Sequence, residues 1–143
     1  MKQLLLFAAF IFFFSSAIQA QKKLQPVTQS AMTGISLPAG SKKDGRLLSV
    51  MAGRILLELE SKKAGTPIGE LELLVLPPVA QTGFTADSLV AQLANTGWNI
   101  AAVLEDDKYV WLQKENQYLM AYFSMDGKET ALYFGKPETP PAL

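Results

Sequence analysis

The stretch Tyr109-Val110-Trp111-Leu112-Gln113-Lys114-Glu115-Asn116-Gln117-Tyr118-Leu119-Met120-Ala121-Tyr122-Phe123 alternates in side-chain character on both sides of a polar break. A period of two is the mark of a β-strand, because successive side chains point to opposite faces. Tyr109 to Lys114 is therefore read as one strand, Glu115-Asn116 as a turn and Gln117 to Met125 as the next strand. Asp126-Gly127 is a hairpin signal, since both residues accept positive φ, and Thr130 to Phe134 returns as a further strand. Upstream, Trp98 to Leu104 and the acidic turn Glu105-Asp106-Asp107-Lys108 complete a four-stranded antiparallel meander.

Parity divides the last three strands into two unlike faces. One holds Val110, Leu112, Leu119, Ala121, Phe123, Leu132 and Phe134 and is mostly aliphatic. The other holds Tyr109, Trp111, Tyr118, Met120, Tyr122, Ala131 and Tyr133. Each aromatic side chain can bury roughly 150–250 Å², so the second face is large enough to need a cover. Two covers are open. The N-terminal half can lay Ile55, Leu57, Leu59, Leu71, Leu73 and Val75 over it, or a ligand can, of which a protein, a peptide or a saccharide suits stacked Tyr and Trp. The candidate binding residues are Trp98, Tyr109, Trp111, Tyr118, Tyr122 and Tyr133.

Before the meander, Thr85 suits a helix N-cap, with Asp87 in the first turn. Phe84 and Leu89 have the spacing of a hydrophobic staple, Leu89, Val90 and Leu93 form a stripe, and Gly97 ends the helix. This helix is expected on the aliphatic face. Further upstream, Arg54 to Glu60 and Glu70 to Leu76 alternate and read as an antiparallel pair with Glu58, Glu60, Glu70 and Glu72 on a wet face, closed by Pro77-Pro78. Ser-Lys-Lys-x-Gly occurs at 41–45 and 61–65 and reads as two similar solvated turns. The fold class expected is α+β: N-terminal antiparallel strands, one helix, then the four-stranded meander.

The chain opens with Lys2 and an apolar run from Leu4 to Phe14, followed by Ser15-Ser16 and Ala20. The run is too short for a bilayer about 30 Å thick, which takes roughly 20 residues, and it has the form of a cleavable signal peptide. Residues 1–20 are read as that leader, 21–136 as one α+β domain and 137–143 as a disordered Pro-rich tail. The mature protein is expected outside the cytoplasm, periplasmic or extracellular, without stable membrane insertion after cleavage.

Composition limits the chemistry. The 143 residues include no Cys and no His. That removes disulfides, a lipidated leader, Cys- or His-based nucleophilic dyads and His- or Cys-ligated zinc. Lys plus Arg and Asp plus Glu both number 13, with no basic stripe to follow phosphates, so nucleic acid is not an expected partner. No metal site and no cofactor is expected: the acidic run Glu105-Asp106-Asp107 lacks the alternating spacing of a calcium loop. The chain is read as a small non-catalytic binding or interaction domain. The alternatives are an inhibitor or immunity-type partner of a secreted protein, and a hydrolase working with carboxylates alone.

Overall fold

The computed structural model describes residues 24–125 and 128–143. The segments read as a leader (1–20), a mature end at Gln21 and a turn at Asp126-Gly127 lie outside the described residues. The class is α+β, with N-terminal antiparallel strands ahead of a four-stranded antiparallel meander. Strands β1 (Leu24–Pro26), β2 (Lys42–Asp44), β3 (Ile68–Leu76), β4 (Asn99–Val103), β5 (Tyr109–Lys114), β6 (Gln117–Ser124) and β7 (Thr130–Pro137) form one sheet in the order β1-β2-β3-β7-β6-β5-β4. Every neighbouring pair is antiparallel. The β6–β7 hairpin closes on the pair Ser124–Ala131, so its connection is longer than a two-residue turn.

The first correction concerns residues 47–61. They form helix α1 (Leu47–Ser61), not strands. Alternation over Arg54 to Glu60 is a short window, and the full 15-residue segment is rich in Leu and Glu with no Pro, which favours helix. Asp44 organises its start. Its carboxylate accepts from the Arg46 backbone N–H at 3.1 Å and from the Arg46 guanidinium at 3.0 and 2.9 Å. A negative charge there also suits the positive end of the helix dipole. At the other end the chain tightens into a 3₁₀ turn, Lys62–Ala64, and leaves through Gly65 at φ 80°. Only glycine takes that left-handed conformation without steric cost.

The repeated Ser-Lys-Lys-x-Gly is therefore not two like turns. Its first copy supplies β2 and its second the end of α1 and the 3₁₀ turn. The same pentapeptide takes whichever conformation its surroundings impose.

Past β3, a single turn α2 (Val79–Thr82) leads to α3 (Ala86–Asn95). Here the expectation holds at both ends and for Leu89 and Leu93, which are buried, whereas Val90, read into the same stripe, is exposed. Thr85 caps α3 by accepting from the Ser88 N–H at 3.2 Å, and Gly97 closes it at φ 89°.

The sheet is covered on both sides. α3 and the segment from Val27 to Leu37 pack on the aliphatic face, where Ile35, Phe84, Leu89, Leu93, Leu112, Leu132 and Phe134 are buried together. α1 packs on the aromatic face, with Leu57, Ile68, Tyr109, Trp111 and Met120 as its buried centre. Two glycines let α1 come close. A Cβ on Gly53 would meet Leu73 Cδ2 at 2.6 Å, and one on Gly135 would meet Leu57 Cδ1 and Ile68 Cγ2 at 2.9 Å. Fully burying a side chain such as Leu57 contributes about 1.5–3 kcal/mol, which offsets the helix propensity lost at Gly53.

The tail is the second correction. Residues 138–143 are not loose: Glu138 N–H donates to Pro67 O at 3.0 Å, Thr139 N–H to Thr66 Oγ1 at 3.1 Å and Ala142 N–H to Ala64 O at 2.9 Å. Backbone donors of the tail find acceptors on the segment after α1, two carbonyls and the Thr66 hydroxyl, which outweighs the composition that suggested disorder.

Candidate functional site

Strand register places the aromatic residues as parity predicted. Tyr109 stands opposite Tyr122, Trp111 opposite Met120, and Tyr122 opposite Tyr133. The ring centroids of Tyr109 and Tyr122 are 5.0 Å apart and those of Tyr122 and Tyr133 are 5.5 Å apart, both tilted. Such cross-strand rings stabilise the sheet itself.

This face is closed by the chain's own N-terminal half, although by different residues than expected. Leu57 and, in part, Leu56 reach down from α1, and Leu71 and Leu73 lie beside the aromatic row on β3. Ile55 and Leu59, assigned to the cover from the strand pattern, point to solvent. Trp111 is 1 % exposed and Tyr109 donates its hydroxyl to Leu56 O at 3.3 Å. Burial, together with Tyr122, Asp106 and Glu60 nearby, pushes the Tyr109 phenol up to about 12. Burial raises the Tyr133 phenol as well, helped by Asp44 and Tyr122. Tyr118, Tyr122 and Tyr133 are half-buried.

Trp98 does not join this group. It follows the Gly97 turn, packs into the aliphatic face and is 4 % exposed. The six candidate residues are therefore not one site. Trp98 and Tyr118 border a mixed cavity of about 530 Å³ that also meets Lys43, Arg54 and Lys136. Trp111 borders a second concavity of about 430 Å³ near the C-terminus, and Tyr133 a third.

The acids are also redistributed. Glu58 and Glu60 stand on α1, where Glu58 pairs with Arg54 and Lys62 and Glu60 with Lys63. Glu72, expected on a wet face, is buried on the aliphatic side. It accepts from Ser30 Oγ at 2.5 Å, Ala31 N–H at 2.6 Å and Met32 N–H at 3.3 Å. Glu70, near the start of β3, is exposed as expected, but from Glu72 to Leu74 the strand is buried on both faces between β2 and β7. The cross-strand carboxylate pairs that a hydrolase would need do not form. Among the described residues, no group of three or more Asp, Glu, His or Cys side chains comes together, and no helix is long and apolar enough to cross a membrane.

Sequence reasoning missed an exposed edge strand beside an apolar cavity. β4 is the outermost strand, and Asn99, Ile100, Ala101 and Val103 are exposed. It contains no charge and no proline. Beside it, between α3 and the aliphatic face, lies an apolar cavity of about 340 Å³ lined by Leu89, Val90, Ile100, Val110, Leu112 and Phe123 among others, with Asp107 and Lys108 also bordering it. The lack of any charge in Asn-Ile-Ala-Ala-Val was the available signal.

Compared with family models, curated proteins and solved structures, the chain matches none.

Proposed function

We propose that this protein is a non-catalytic binding module, exported from the cytoplasm, that takes up an extended peptide segment along the free edge of β4. The observation that carries this reading is the uncharged, exposed strand Asn99–Val103 beside an apolar cavity. Sheet edges in soluble proteins are normally blunted by Lys, Pro or a covering element, because their free N–H and C=O groups invite another strand. β4 has none of these, and its one protective feature is the bulge between Ile100 and Ala102 opposite β5. A peptide adding here gains main-chain hydrogen bonds along the edge. Every second side chain of it falls on the Ile100 side, toward the cavity under α3. A volume of about 340 Å³ lies within the range of ligand pockets and accepts a side chain of Leu or Phe size. Export is supported by the signal-like pattern of residues 1–20.

Amide hydrogen exchange tests the reading. Peptides of six to eight residues with alternating apolar side chains are expected to protect the amides of residues 99–103, and Val90→Asp is expected to abolish that protection while leaving the fold intact. Absence of protection by every member of a diverse extended-peptide library would overturn it.

A further inference from the structure

The helix that closes the aromatic face is apolar on its outer side too. Leu47, Leu48, Met51, Ile55 and Leu59 are 67, 79, 53, 63 and 61 % exposed. Their spacing places Leu48, Met51, Ile55 and Leu59 along one ridge, while Gly53 and Leu57 face the sheet. A helix that is apolar all round belongs to an interior, and the fold of one chain covers only half of this one. Five side chains this open present on the order of 500 Å² of apolar surface, toward the upper end of the largest patch on an ordinary monomer.

We infer that the ridge is a homodimer interface, in which α1 packs antiparallel against α1 of a second copy of the chain across a twofold axis. Under that operation the ends of the ridge match each other and its middle residues meet small or apolar positions, Met51 falling opposite Leu56. About a point between Gly53 and Arg54, Leu48 is equivalent to Leu59 and Ala52 to Ile55. Antiparallel docking sets the two end leucines on each other and a small alanine opposite each isoleucine. A twofold interface requires this match of a patch with itself.

The area is sufficient. Two such patches face to face bury on the order of 1,000 Å² before their borders are counted, which reaches the size at which specific interfaces begin. The ends agree electrically. The charges at both ends are already paired within the chain, Arg46 with Asp44 at the N-terminal end and Glu58 and Glu60 with Lys62 and Lys63 at the C-terminal end, so no like charges are forced together. In the antiparallel arrangement each positive dipole end lies beside a negative one. α1 rests on β3, β6 and β7, whereas β4 is the far edge of the sheet, so pairing through α1 leaves the proposed peptide edge free.

Sedimentation equilibrium on the protein recovered from an exporting host is the test. The mass is expected to be twice that of the chain, and Ile55→Glu is expected to halve it with an unchanged far-ultraviolet circular dichroism spectrum. A monomer at every concentration, or a dimer that survives both Ile55→Glu and Leu48→Glu, overturns the inference. Because the chain has no native cysteine, orientation can be read by disulfide trapping. The double variant Leu48→Cys/Leu59→Cys is expected to cross-link under mild oxidation and Leu48→Cys alone is not; efficient cross-linking of Leu48→Cys alone overturns the antiparallel arrangement.

Discussion

Ser30 donates its hydroxyl to the buried carboxylate of Glu72 across 2.5 Å, joining positions 42 residues apart in sequence. Glu72 takes two more hydrogen bonds from the Ala31 and Met32 amides and so fixes the N-terminal segment onto β3. Replacing it by alanine leaves three donors without their acceptor, the Ser30 hydroxyl buried and the two amides part-buried. Each such group costs about 1–3 kcal/mol, and relaxation recovers part of the sum. Glu72→Ala is expected to lower the unfolding free energy by roughly 3 kcal/mol, and Glu72→Gln, which keeps one acceptor oxygen, by less. Urea unfolding measures both. A Glu72→Ala protein as stable as the parent would remove Glu72 from this role.

Acid stability depends on Asp44. The hydrogen bond from the Arg46 side chain, with help from the Arg46 amide and Ser49, holds the Asp44 carboxyl below its ordinary 3.8, against the opposing effect of burial. A carboxyl depressed in the folded state binds fewer protons there than in the unfolded chain. Its contribution is therefore complete above the ordinary value and is lost as pH falls through the depressed one. The melting temperature of the parent should exceed that of Asp44→Asn at neutral pH, and the gap should narrow below about pH 4. A gap that stays constant down to pH 2 would contradict this.

At the alkaline end Tyr109 dominates. Its phenol titrates near 12 in the fold, chiefly through burial, against an ordinary value of 10.0. Between those values the folded state holds a proton that the unfolded chain has released, so stability decreases as pH rises through this window. Tyrosinate absorbance should show Tyr109 and Tyr133 titrating late in the parent and only Tyr133 doing so in Tyr109→Phe, and Tyr109→Phe should lose less stability between pH 10 and 12.

The close seat of α1 makes Gly135 intolerant. A Cβ there stands 2.9 Å from both Leu57 Cδ1 and Ile68 Cγ2, inside van der Waals contact. Gly135→Val is expected to cost about 1–3 kcal/mol by overpacking, a fall in melting temperature of roughly 5–10 °C. Calorimetry of the single variant checks this, and pairing it with Leu57→Ala should restore part of the loss.

The meander was legible because its signals are local. β5 matches its expected span, Thr85 caps α3, and the two-face parity of Tyr109 to Phe134 survives intact in the register. α1 was not legible because its inner and outer sides are both apolar. The contrast that marks an amphipathic helix is lost, and the accidental alternation of Arg54 to Glu60 takes its place. The cover of the aromatic face was expected from the right half of the chain but drawn with the outward residues Ile55 and Leu59. Glu72 was misplaced for a different reason. Nothing local distinguishes a carboxylate that will meet Ser30 and two amides from one that faces water. The exposed β4 edge was not legible because strand order, which decides which strand is last, is a long-range property.

The bonded tail has a consequence for durability. Its amides at Glu138, Thr139 and Ala142 are tied to the loop that follows α1, so the last stretch of chain behaves as a latch across the fold. A protease that cuts within residues 138–142 must first unfasten these amides from Ala64, Thr66 and Pro67. In a domain without a single disulfide, that latch ties residues 138–142 to the segment that directly follows the helix shielding the aromatic face, and clipping it is expected to loosen both together.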